Sequence, residues 1–183
     1  MIRGHPRQGK LQTDRHRQHW TVRVRRAARS EGATAVIANS EDFQALDPFF
    51  RVIEEGLRGY ADGEHFFDLL ADDVIFDFVI TVPDYPRHVT GRENIIELYR
   101  GYGATFRLDR CYDLRAHYSQ PTSTVVLEYS SAGKVVGTGY PYSNRYISVV
   151  TIKDRKVAAW RDYLDPLRVF AALEGQPFEG DPE

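Results

Sequence analysis

The second half of the chain consists almost entirely of short β-type segments, and this feature constrains the fold most. Runs rich in β-branched and aromatic residues are separated by turn residues. They predict five strands: Leu108–His117, Thr124–Ser130, Lys134–Tyr140, Arg145–Ile152 and Val157–Leu164. The joints at residues 131–133 and 153–155 are short enough for hairpins, so neighbouring strands run antiparallel. A meander of this kind twists strongly and must bury at least one of its faces.

The first half supplies the helices that cover that face. Asp47-Pro48 is a helix start, and apolar residues then recur at helical spacing. Phe66–Leu70 predicts a short second helix, and the capping-box pattern Thr90-Gly91-Arg92-Glu93 opens a third. Between these two helices lie a predicted strand, Val74–Ile80, and a proline-bearing loop at residues 82–86.

This order of elements predicts an α+β fold shaped as a cone-like roll. Three N-terminal helices pack on a strongly curved mixed or antiparallel sheet, and an apolar pocket remains between the two layers. Asp165-Pro166 ends the sheet, and Leu167–Leu173 adds a short closing helix. The predicted domain covers residues 41–175, between an N-terminal extension of residues 1–40 and a loose C-terminal tail of residues 176–183.

The first 29 residues differ in charge from the rest of the chain. They hold nine Arg and Lys residues against one acidic residue, whereas the remainder holds 15 basic and 25 acidic residues. Because large apolar side chains are few and no period is sustained, residues 1–40 are predicted to be disordered. Clustered arginines can also neutralise nucleic-acid phosphates. We expect a solvated tail and no nucleic-acid partner.

Cysteine content and hydropathy limit the class of protein further. The single cysteine, Cys111, excludes an intramolecular disulfide and a thiolate metal cluster. No apolar run approaches the roughly 18 residues of a membrane span, and no apolar segment typical of a secretion signal follows the basic N-terminus. We therefore expect a cytoplasmic protein that has no membrane partner and uses neither a metal nor a cofactor.

Several stretches together resemble one superfamily. They are Phe67–Asp73 before the first strand, Gly91-Arg92-Glu93 at the third helix, Tyr142–Val149, and Trp160–Leu167. This set is similar to the nuclear transport factor 2-like superfamily, in particular to its SnoaL-like and ketosteroid-isomerase-like domains. The last two stretches most resemble the phenazine-biosynthesis A/B branch. The resemblance covers about residues 47–173.

The resemblance implies a cone fold, commonly homodimeric, whose pocket binds small hydrophobic or cyclic organic molecules. Members of the superfamily include isomerases, cyclases of the polyketide type, epoxide hydrolases and proteins with no catalysis at all. Fold alone therefore leaves the function open, and the pocket residues have to decide it.

Asp162 is the main candidate for chemistry. Because side chains alternate along a strand, it shares a face with Trp160 in an apolar row, and such a setting raises the pKa of a carboxyl group. A general acid or base near neutral pH needs such a shift. The resemblance implies the same role, since Trp160–Tyr163 is similar to a stretch of limonene-1,2-epoxide hydrolase that carries a catalytic carboxylate. The alternative is a structural aspartate paired with Arg145 or Arg161.

Other positions depart from these relatives. The remaining catalytic groups of the epoxide hydrolase correspond here to Tyr129, Ser131, Phe76 and Phe78, which does not favour epoxide hydrolysis. Ketosteroid isomerase carries its proton-transferring aspartate where this chain has Phe78, with Asp77 beside it on the opposite face. Steroid isomerisation is therefore not supported. The histidine of the phenazine-type members has no counterpart in the third helix.

Further residues are expected around the pocket. Tyr85 and His88 belong to the loop at the mouth of the cone, where His88 is either a proton shuttle or a solvated surface residue. Glu128 points either inward or toward a cross-strand partner. The remaining candidates for ligand contacts are rings: Trp160, Phe76, Phe78, Tyr99, Tyr140 and Tyr146.

These observations predict a cofactor-free acid/base enzyme of the isomerase or cyclase type, acting in small-molecule or secondary metabolism. Asp162 and His88 are its expected catalytic residues. The alternative is a non-catalytic ligand-binding or assembly module with the same fold. In both cases we expect a homodimer formed through the outer face of the sheet, where Arg161, Tyr163, Ile147 and Val149 lie.

Overall fold

The computed structural model describes residues 41–80 and 85–177. The predicted N-terminal extension, residues 81–84 of the proline-bearing loop and the C-terminal residues 178–183 lie outside this part of the chain. None of the helices in the two described ranges is long and apolar enough to cross a membrane.

The helices are short and lie before the sheet or at its end. Helix α1 spans Asp47–Gly56, α2 spans Arg92–Arg100 and α3 spans Pro166–Glu174. Short 3₁₀ segments cover Glu41–Leu46, Phe66–Leu69, Tyr102–Ala104 and Gln120–Thr122. The predicted second helix is thus a 3₁₀ turn, because only four residues separate His65 from the first strand.

Six strands form one open sheet. They are β1 (Leu70–Phe78), β2 (His88–Thr90), β3 (Phe106–Ser119), β4 (Thr124–Val135), β5 (Pro141–Lys153) and β6 (Lys156–Leu164). The spatial order is β2-β1-β6-β5-β4-β3. β1 and β6 run parallel, and the other neighbouring pairs run antiparallel. The predicted α+β fold with helices on a mixed sheet is confirmed.

The start of α2 differs from the predicted capping box. Gly91 occupies the N-cap with a φ of 91°, and no side chain caps the helix. Glycine tolerates this φ because it has no Cβ. Thr90 is instead the last residue of β2. Arg92 ties the helix to β1, since its guanidinium donates to the Leu70 carbonyl at 3.3 Å and pairs with Asp72.

The β4–β5 hairpin also differs from the prediction. It turns at residues 136–140, where Gly139 has a φ of 72°, and not at residues 131–133. The latter continue β4, because Gly133 lets the backbone of β3 approach so closely that a Cβ would collide with it. The separate strand predicted over Lys134–Tyr140 is therefore wrong, and its glycines belong to the turn.

One face of the sheet lies against the helices and forms the core. On β4, Val125, Leu127, Tyr129 and Ser131 are buried, while the residues between them are partly exposed. Rings from α1 and from the 3₁₀ segments pack against this inner face: Phe43, Phe50, Phe66 and Phe67. Two register shifts in β3, with Asp113 at a φ of 58° inside the second, accompany the bend of the sheet. The curvature leaves a space between the layers.

Candidate functional site

A cavity of about 470 Å³ lies between the inner face of the sheet and the helical layer. The sheet contributes Phe78, Phe106, Leu108, Cys111, Tyr129, Ser131, Tyr142, Tyr146, Asp162 and Leu164. The opposite layer and the closing helix contribute chiefly Leu46, Phe49, Tyr85, Leu98, Tyr99, Tyr102 and Val169. The wall is therefore mainly aromatic and aliphatic, with few polar groups.

Tyrosine is the most frequent residue in this wall. Burial raises the pKa of each phenol that borders the cavity: Tyr85, Tyr99, Tyr102, Tyr129, Tyr142 and Tyr146. These side chains consequently stay protonated at neutral pH and offer hydroxyl groups to a ligand.

Asp162 brings a carboxylate into this wall from β6. Its Oδ1 accepts hydrogen bonds from Ser148 Oγ at 2.7 Å and from Trp160 Nε1 at 3.3 Å. Burial raises its pKa from 3.8 to about 6, and the two hydrogen bonds offset only part of that rise. The side chain keeps some accessibility because it borders the cavity. Since both bonds reach Oδ1, Oδ2 is available to a bound molecule.

Neither of the arginines considered as partners pairs with this carboxylate. Arg161 follows the alternation of β6 to the outer face, and Arg145 does the same on β5; both are exposed. None of the ion pairs found among the described residues includes Asp162. The alternative of a structural aspartate in a buried ion pair is therefore wrong, because only uncharged donors hold the carboxylate.

Two buried side chains position Asp162. The indole of Trp160 stacks on Phe76 with centroids 5.2 Å apart and an interplanar angle of 8°. Ser148 lies directly opposite Asp162 in the β5–β6 ladder, and its Oγ is also 3.2 Å from the Tyr129 hydroxyl. Because Ser148 donates its only proton to the carboxylate, the Tyr129 hydroxyl donates to Ser148. The result is a directed chain that ends on Asp162.

A second polar group of side chains lies along β4 and β5. The hydroxyl of Tyr146 is 3.0 Å from that of Tyr142 and 3.1 Å from Ser131 Oγ. We call these three residues the hydroxyl cluster. Asn144, which is buried, donates from Nδ2 to the Tyr142 oxygen at 3.0 Å. All three members of the cluster border the cavity.

Sequence reasoning missed most of these polar residues. Asn144 and Ser148 were not candidates, and Ser131 was assigned to a turn. A usable signal was present, because Tyr142, Asn144, Tyr146 and Ser148 alternate at every second position. The first two lie just before the predicted strand Arg145–Ile152, and the last two lie inside it. Polar residues that alternate toward a buried face need partners there, so this period marks a polar side of the pocket.

The structure places the predicted pocket residues in three kinds of position. Phe78, Tyr85, Tyr99, Tyr146 and Asp162 border the cavity. Trp160 and Phe76 are almost fully buried in the core beside Asp162 and support it from behind. Tyr140 lies at the end of the β4–β5 turn, away from the cavity wall.

His88 and Glu128 require a correction, since both lie away from the cavity. His88 is part of β2 and not of a loop, and it is exposed with Nδ1 3.5 Å from Asp77 Oδ1. Glu128 lies 3.0 Å from His117 Nε2 across the β3–β4 pair. Strand alternation is the reason, because Glu128 occupies a position between two buried residues of β4.

The charges near the cavity rim are already paired. Arg100 is exposed on α2, pairs with Asp42 and with Glu97 at 3.2 Å, and lies over the Phe43 ring at 5.3 Å.

Burial raises the pKa of the Cys111 thiol to about 12, so this residue is a neutral part of the wall. Within the described ranges, no group of three His, Cys, Asp or Glu side chains is arranged to hold a metal ion.

Comparison with known proteins adds three relatives. The uncharacterized protein YesE of Bacillus subtilis (strain 168) is 29% identical over 108 residues, which cover 59% of this chain and 74% of YesE. The uncharacterized PhzA/B-like protein PA3332 of Pseudomonas aeruginosa is 25% identical over 125 residues, covering 68% and 84%. A solved structure of a proposed isomerase from Bacillus subtilis aligns with a TM-score of 0.59 at 26% identity, covering 74% of this chain and 95% of that one.

The family match agrees with the fold and the pocket. The model of the SnoaL-like domain matches residues 48–160, from the first turn of α1 to Trp160 on β6. This range includes most of the cavity wall and ends two residues before Asp162. The resemblance found in the sequence is confirmed, and the chain belongs to the SnoaL-like domain family.

Proposed function

We propose that this protein is an acid/base enzyme of the isomerase or cyclase type, acting on a small, largely apolar, cyclic molecule of small-molecule or secondary metabolism. The observation that carries the proposal is the position of Asp162: one carboxyl group in an aromatic cavity, with its pKa raised to about 6. At neutral pH such a group is mostly ionised, and as a base it is stronger than an exposed aspartate.

The number of titratable groups in the wall favours isomerisation. Asp162 is the only enclosed side chain of the described wall whose pKa lies near neutrality, since the phenols and the Cys111 thiol stay protonated. A single base suffices when the proton that it removes from one carbon returns to the same molecule. The electron pair of the broken C–H bond is then held by a neighbouring carbonyl, and the carboxyl group returns the proton.

The names of two relatives bear on this class of reaction, and one of them states it. The Bacillus subtilis structure is a proposed isomerase, and the Pseudomonas aeruginosa relative is PhzA/B-like. Neither name defines a substrate for this chain. Both agree with a cavity whose wall is mainly rings.

Proton exchange tests the proposal without knowledge of the natural substrate. Indanone is incubated with the protein in deuterium oxide, and deuterium uptake next to the carbonyl is followed by nuclear magnetic resonance. We expect exchange above the buffer rate that rises as Asp162 ionises near pH 6, and background exchange in Asp162→Asn. Asp77→Asn is the matched control. Asp77 precedes Phe78, which pairs with Asp162 in the β1–β6 ladder, and its side chain lies on the outer face of the sheet. Equal exchange by wild type and Asp162→Asn would remove the catalytic role.

A second candidate is a non-catalytic ligand-binding or assembly module. It is favoured by the absence of a second neutral-pH acid or base in the described part of the wall, since many proton transfers need two groups. This alternative predicts that cyclic ketones bind to the wild type and to Asp162→Asn alike. It also predicts exchange no faster than in buffer for both proteins.

We also propose a homodimer formed through the outer face of the sheet. Ile147 and Ile75 are 45% and 49% exposed on that face, which is a high value for large apolar side chains. Tyr163 lies opposite Ile147 in the β5–β6 ladder and extends the patch. A second copy would cover these side chains.

A cytoplasmic location stays a prediction from the lone cysteine.

A further inference from the structure

A second concave space lies outside the cavity, between α1 and the first part of β3. This cleft has a volume of about 430 Å³. Helix α1 contributes Asp47, Arg51 and Glu55, which share one face of the helix, and β3 contributes residues 107–111. Neither Asp162 nor the hydroxyl cluster borders this space. The proton transfer proposed above therefore makes no use of the cleft.

Charged side chains of both signs line the cleft in equal numbers. They are Arg51, Arg107, Arg110, Asp47, Glu55 and Asp109. None of the ion pairs formed between described residues includes any of the six. Three of them are nevertheless spaced four residues apart on α1, where helical ion pairs can form, and other exposed charges such as Arg155 and Asp62 do pair. The cleft thus presents separated positive and negative groups with no net charge.

This arrangement suits a ligand group that itself carries both charges. A simple anion in the cleft would meet three guanidinium groups and three carboxylates, so attraction and repulsion would largely cancel, and the same holds for a simple cation. An ammonium and a carboxylate on one carbon can each turn toward groups of opposite sign. Guanidinium groups donate to a carboxylate, and carboxylates accept from an ammonium. The cleft therefore matches the dipolar end of an amino acid.

The cleft and the cavity are separated by a single residue at two positions. Leu108 and Cys111 border both spaces. The register of β3 against β4 shifts between Leu108 and Arg110, and the pairing skips Asp109. Such an irregularity bends a strand locally. Because Cys111 has the smaller side chain of the two shared residues, the cavity and the cleft come closest to joining beside it.

The interior of the cavity does not suit a dipolar group. Apart from Asp162, the charged residues of the described cavity wall are Glu97 and Arg100, which pair with each other at 3.2 Å. A carboxylate of the ligand would find no unpaired cation there and would lose its hydration without compensation. Asp162 and Cys111 lie on β6 and β3, with β5 and β4 between them. A ligand that reaches from Asp162 to the cleft must therefore be elongated.

We propose that the cleft binds the dipolar end of an elongated ligand whose apolar ring occupies the cavity. The chain that links the two ends passes beside Cys111. The inference rests on the proposed function, because the ring has to reach Asp162. The substrate class is then a cyclic molecule with a flexible arm that ends in an ammonium and a carboxylate. The arginines of the cleft bind the carboxylate of the arm, and its acidic residues bind the ammonium.

Four compounds that share the dansyl ring system test the proposal. Dansyl-lysine carries the ring on its side-chain nitrogen and ends in both charges. Dansylcadaverine ends in an ammonium alone, dansylaminohexanoate ends in a carboxylate alone, and dansylamide has no arm. Dansyl fluorescence increases in apolar surroundings, so a titration at neutral pH gives each Kd. We expect dansyl-lysine to bind at least about fivefold more tightly than each of the other three, the upper end for one exposed ion pair.

Two single variants assign the charges of the arm to the cleft. Arg51 and Glu55 are exposed and do not border the cavity, so their replacement leaves the ring site unchanged. Arg51→Gln should weaken dansyl-lysine and dansylaminohexanoate about threefold and should not weaken dansylcadaverine. Glu55→Gln should weaken dansyl-lysine and dansylcadaverine about threefold and should not weaken dansylaminohexanoate. Arg58→Gln is the matched control, because Arg58 is exposed just after α1 and does not line the cleft.

The possible failures separate this inference from the proposed function. Equal affinity of the four compounds would overturn the inference and leave the cavity as an apolar binding site. Unchanged binding of dansyl-lysine in both cleft variants, or equal weakening in Arg58→Gln, would also overturn it. Failure of all four to bind contradicts the ring site as well. Loss of deuterium exchange in indanone, with dansyl-lysine still preferred, contradicts only the proposed catalysis.

Discussion

The two faces of the sheet hold carboxylates in opposite environments. On the outer face, Asp77 and Glu128 each lie beside a histidine and face water. On the inner face, Asp162 has no ionic partner among the described residues and is held by a hydroxyl and an indole. The two settings are one residue apart, since Asp77 pairs with Arg161 and Phe78 with Asp162 in the β1–β6 ladder. Strand alternation thus decides whether an aspartate here faces water or the cavity.

The largest difference between the faces should appear in Trp160→Ala. This change removes a fully buried ring that stacks on Phe76 and donates to Asp162, so we expect the free energy of unfolding to fall by about 3–5 kcal/mol. Arg161→Ala changes the next residue, which is exposed on the outer face, and should cost less than about 1 kcal/mol. Urea denaturation measures both. Similar losses of unfolding free energy in the two variants would contradict the assignment of Trp160 to the buried face and of Arg161 to the exposed face.

Asp162→Asn should stabilise the protein in a pH-dependent manner. The folded-state pKa of about 6 lies above the ordinary value of 3.8, so the wild type loses stability as pH rises from about 4 to about 6. Above that window the variant should be more stable by at most about 3 kcal/mol, and below pH 4 the difference should vanish. Thermal unfolding across this range measures the effect. A variant that is less stable at pH 8 would contradict the assignment.

Asp77→Asn provides the comparison on the outer face. Its carboxylate is partly exposed beside His88, and exposed pairs contribute little. We expect its free energy of unfolding to stay within about 1 kcal/mol of the wild type between pH 4 and pH 8. A pH-dependent gain as large as that of Asp162→Asn would show that burial is not the cause of the difference.

Ser148→Ala should raise the pKa of Asp162 further. The Ser148 hydroxyl is the nearer of the two donors to Oδ1, and a donor to the ionised form lowers the pKa of a carboxyl group. The lost hydrogen bond should also lower the free energy of unfolding by about 1–2 kcal/mol. Carbon-detected nuclear magnetic resonance titration of Asp162 measures the pKa. Ser130→Ala, on the other face of β4, is the control, and equal pKa values in both variants would contradict the directed chain.

Much of the inner face was predictable from local sequence. Alternation along β6 places Asp162 beside Trp160, and helical spacing places the rings of α1 toward the sheet. These features depend only on the side-chain periodicity within a single helix or strand, so they can be predicted from the sequence alone. The same holds for the closing helix, where Asp165 caps α3 by accepting the Leu167 N–H at 3.0 Å.

The hydroxyl cluster was not predictable, because it depends on register between strands. Ser131 meets Tyr146 only if β4 continues past Gly133 and turns near Gly139. Both glycines are typical of turns, and the close approach of β3 decides between them. The direction of the Glu128 side chain was ambiguous for a related reason. Alternation shows which residues of a strand share a face, but it does not show which face the helices cover.

The outer face offers a test by self-association. Ile147→Asp places a charge in the centre of the proposed dimer interface, so the mass measured by sedimentation should fall to that of one chain. The free energy of unfolding of the monomer should change by less than about 1 kcal/mol, since the side chain is exposed. Val136→Asp is the matched control, because Val136 is 48% exposed in the β4–β5 turn. A wild type that is monomeric at every concentration would remove the proposed interface.

The smallest effect is expected from removal of residues 1–40, which lie outside the described ranges. A chain that starts at Glu41 keeps Phe43, whose fully buried ring contacts Phe50 and Phe67 with centroids 6.3 Å and 5.1 Å apart. Its thermal midpoint should stay within a few degrees of the full chain, because the described core is complete. A chain that starts at Asp47 loses Phe43 and should unfold at a clearly lower temperature, since deletion of a buried ring costs about 3–5 kcal/mol. Loss of cooperative unfolding in the longer of these two chains would show that residues 1–40 belong to the folded domain.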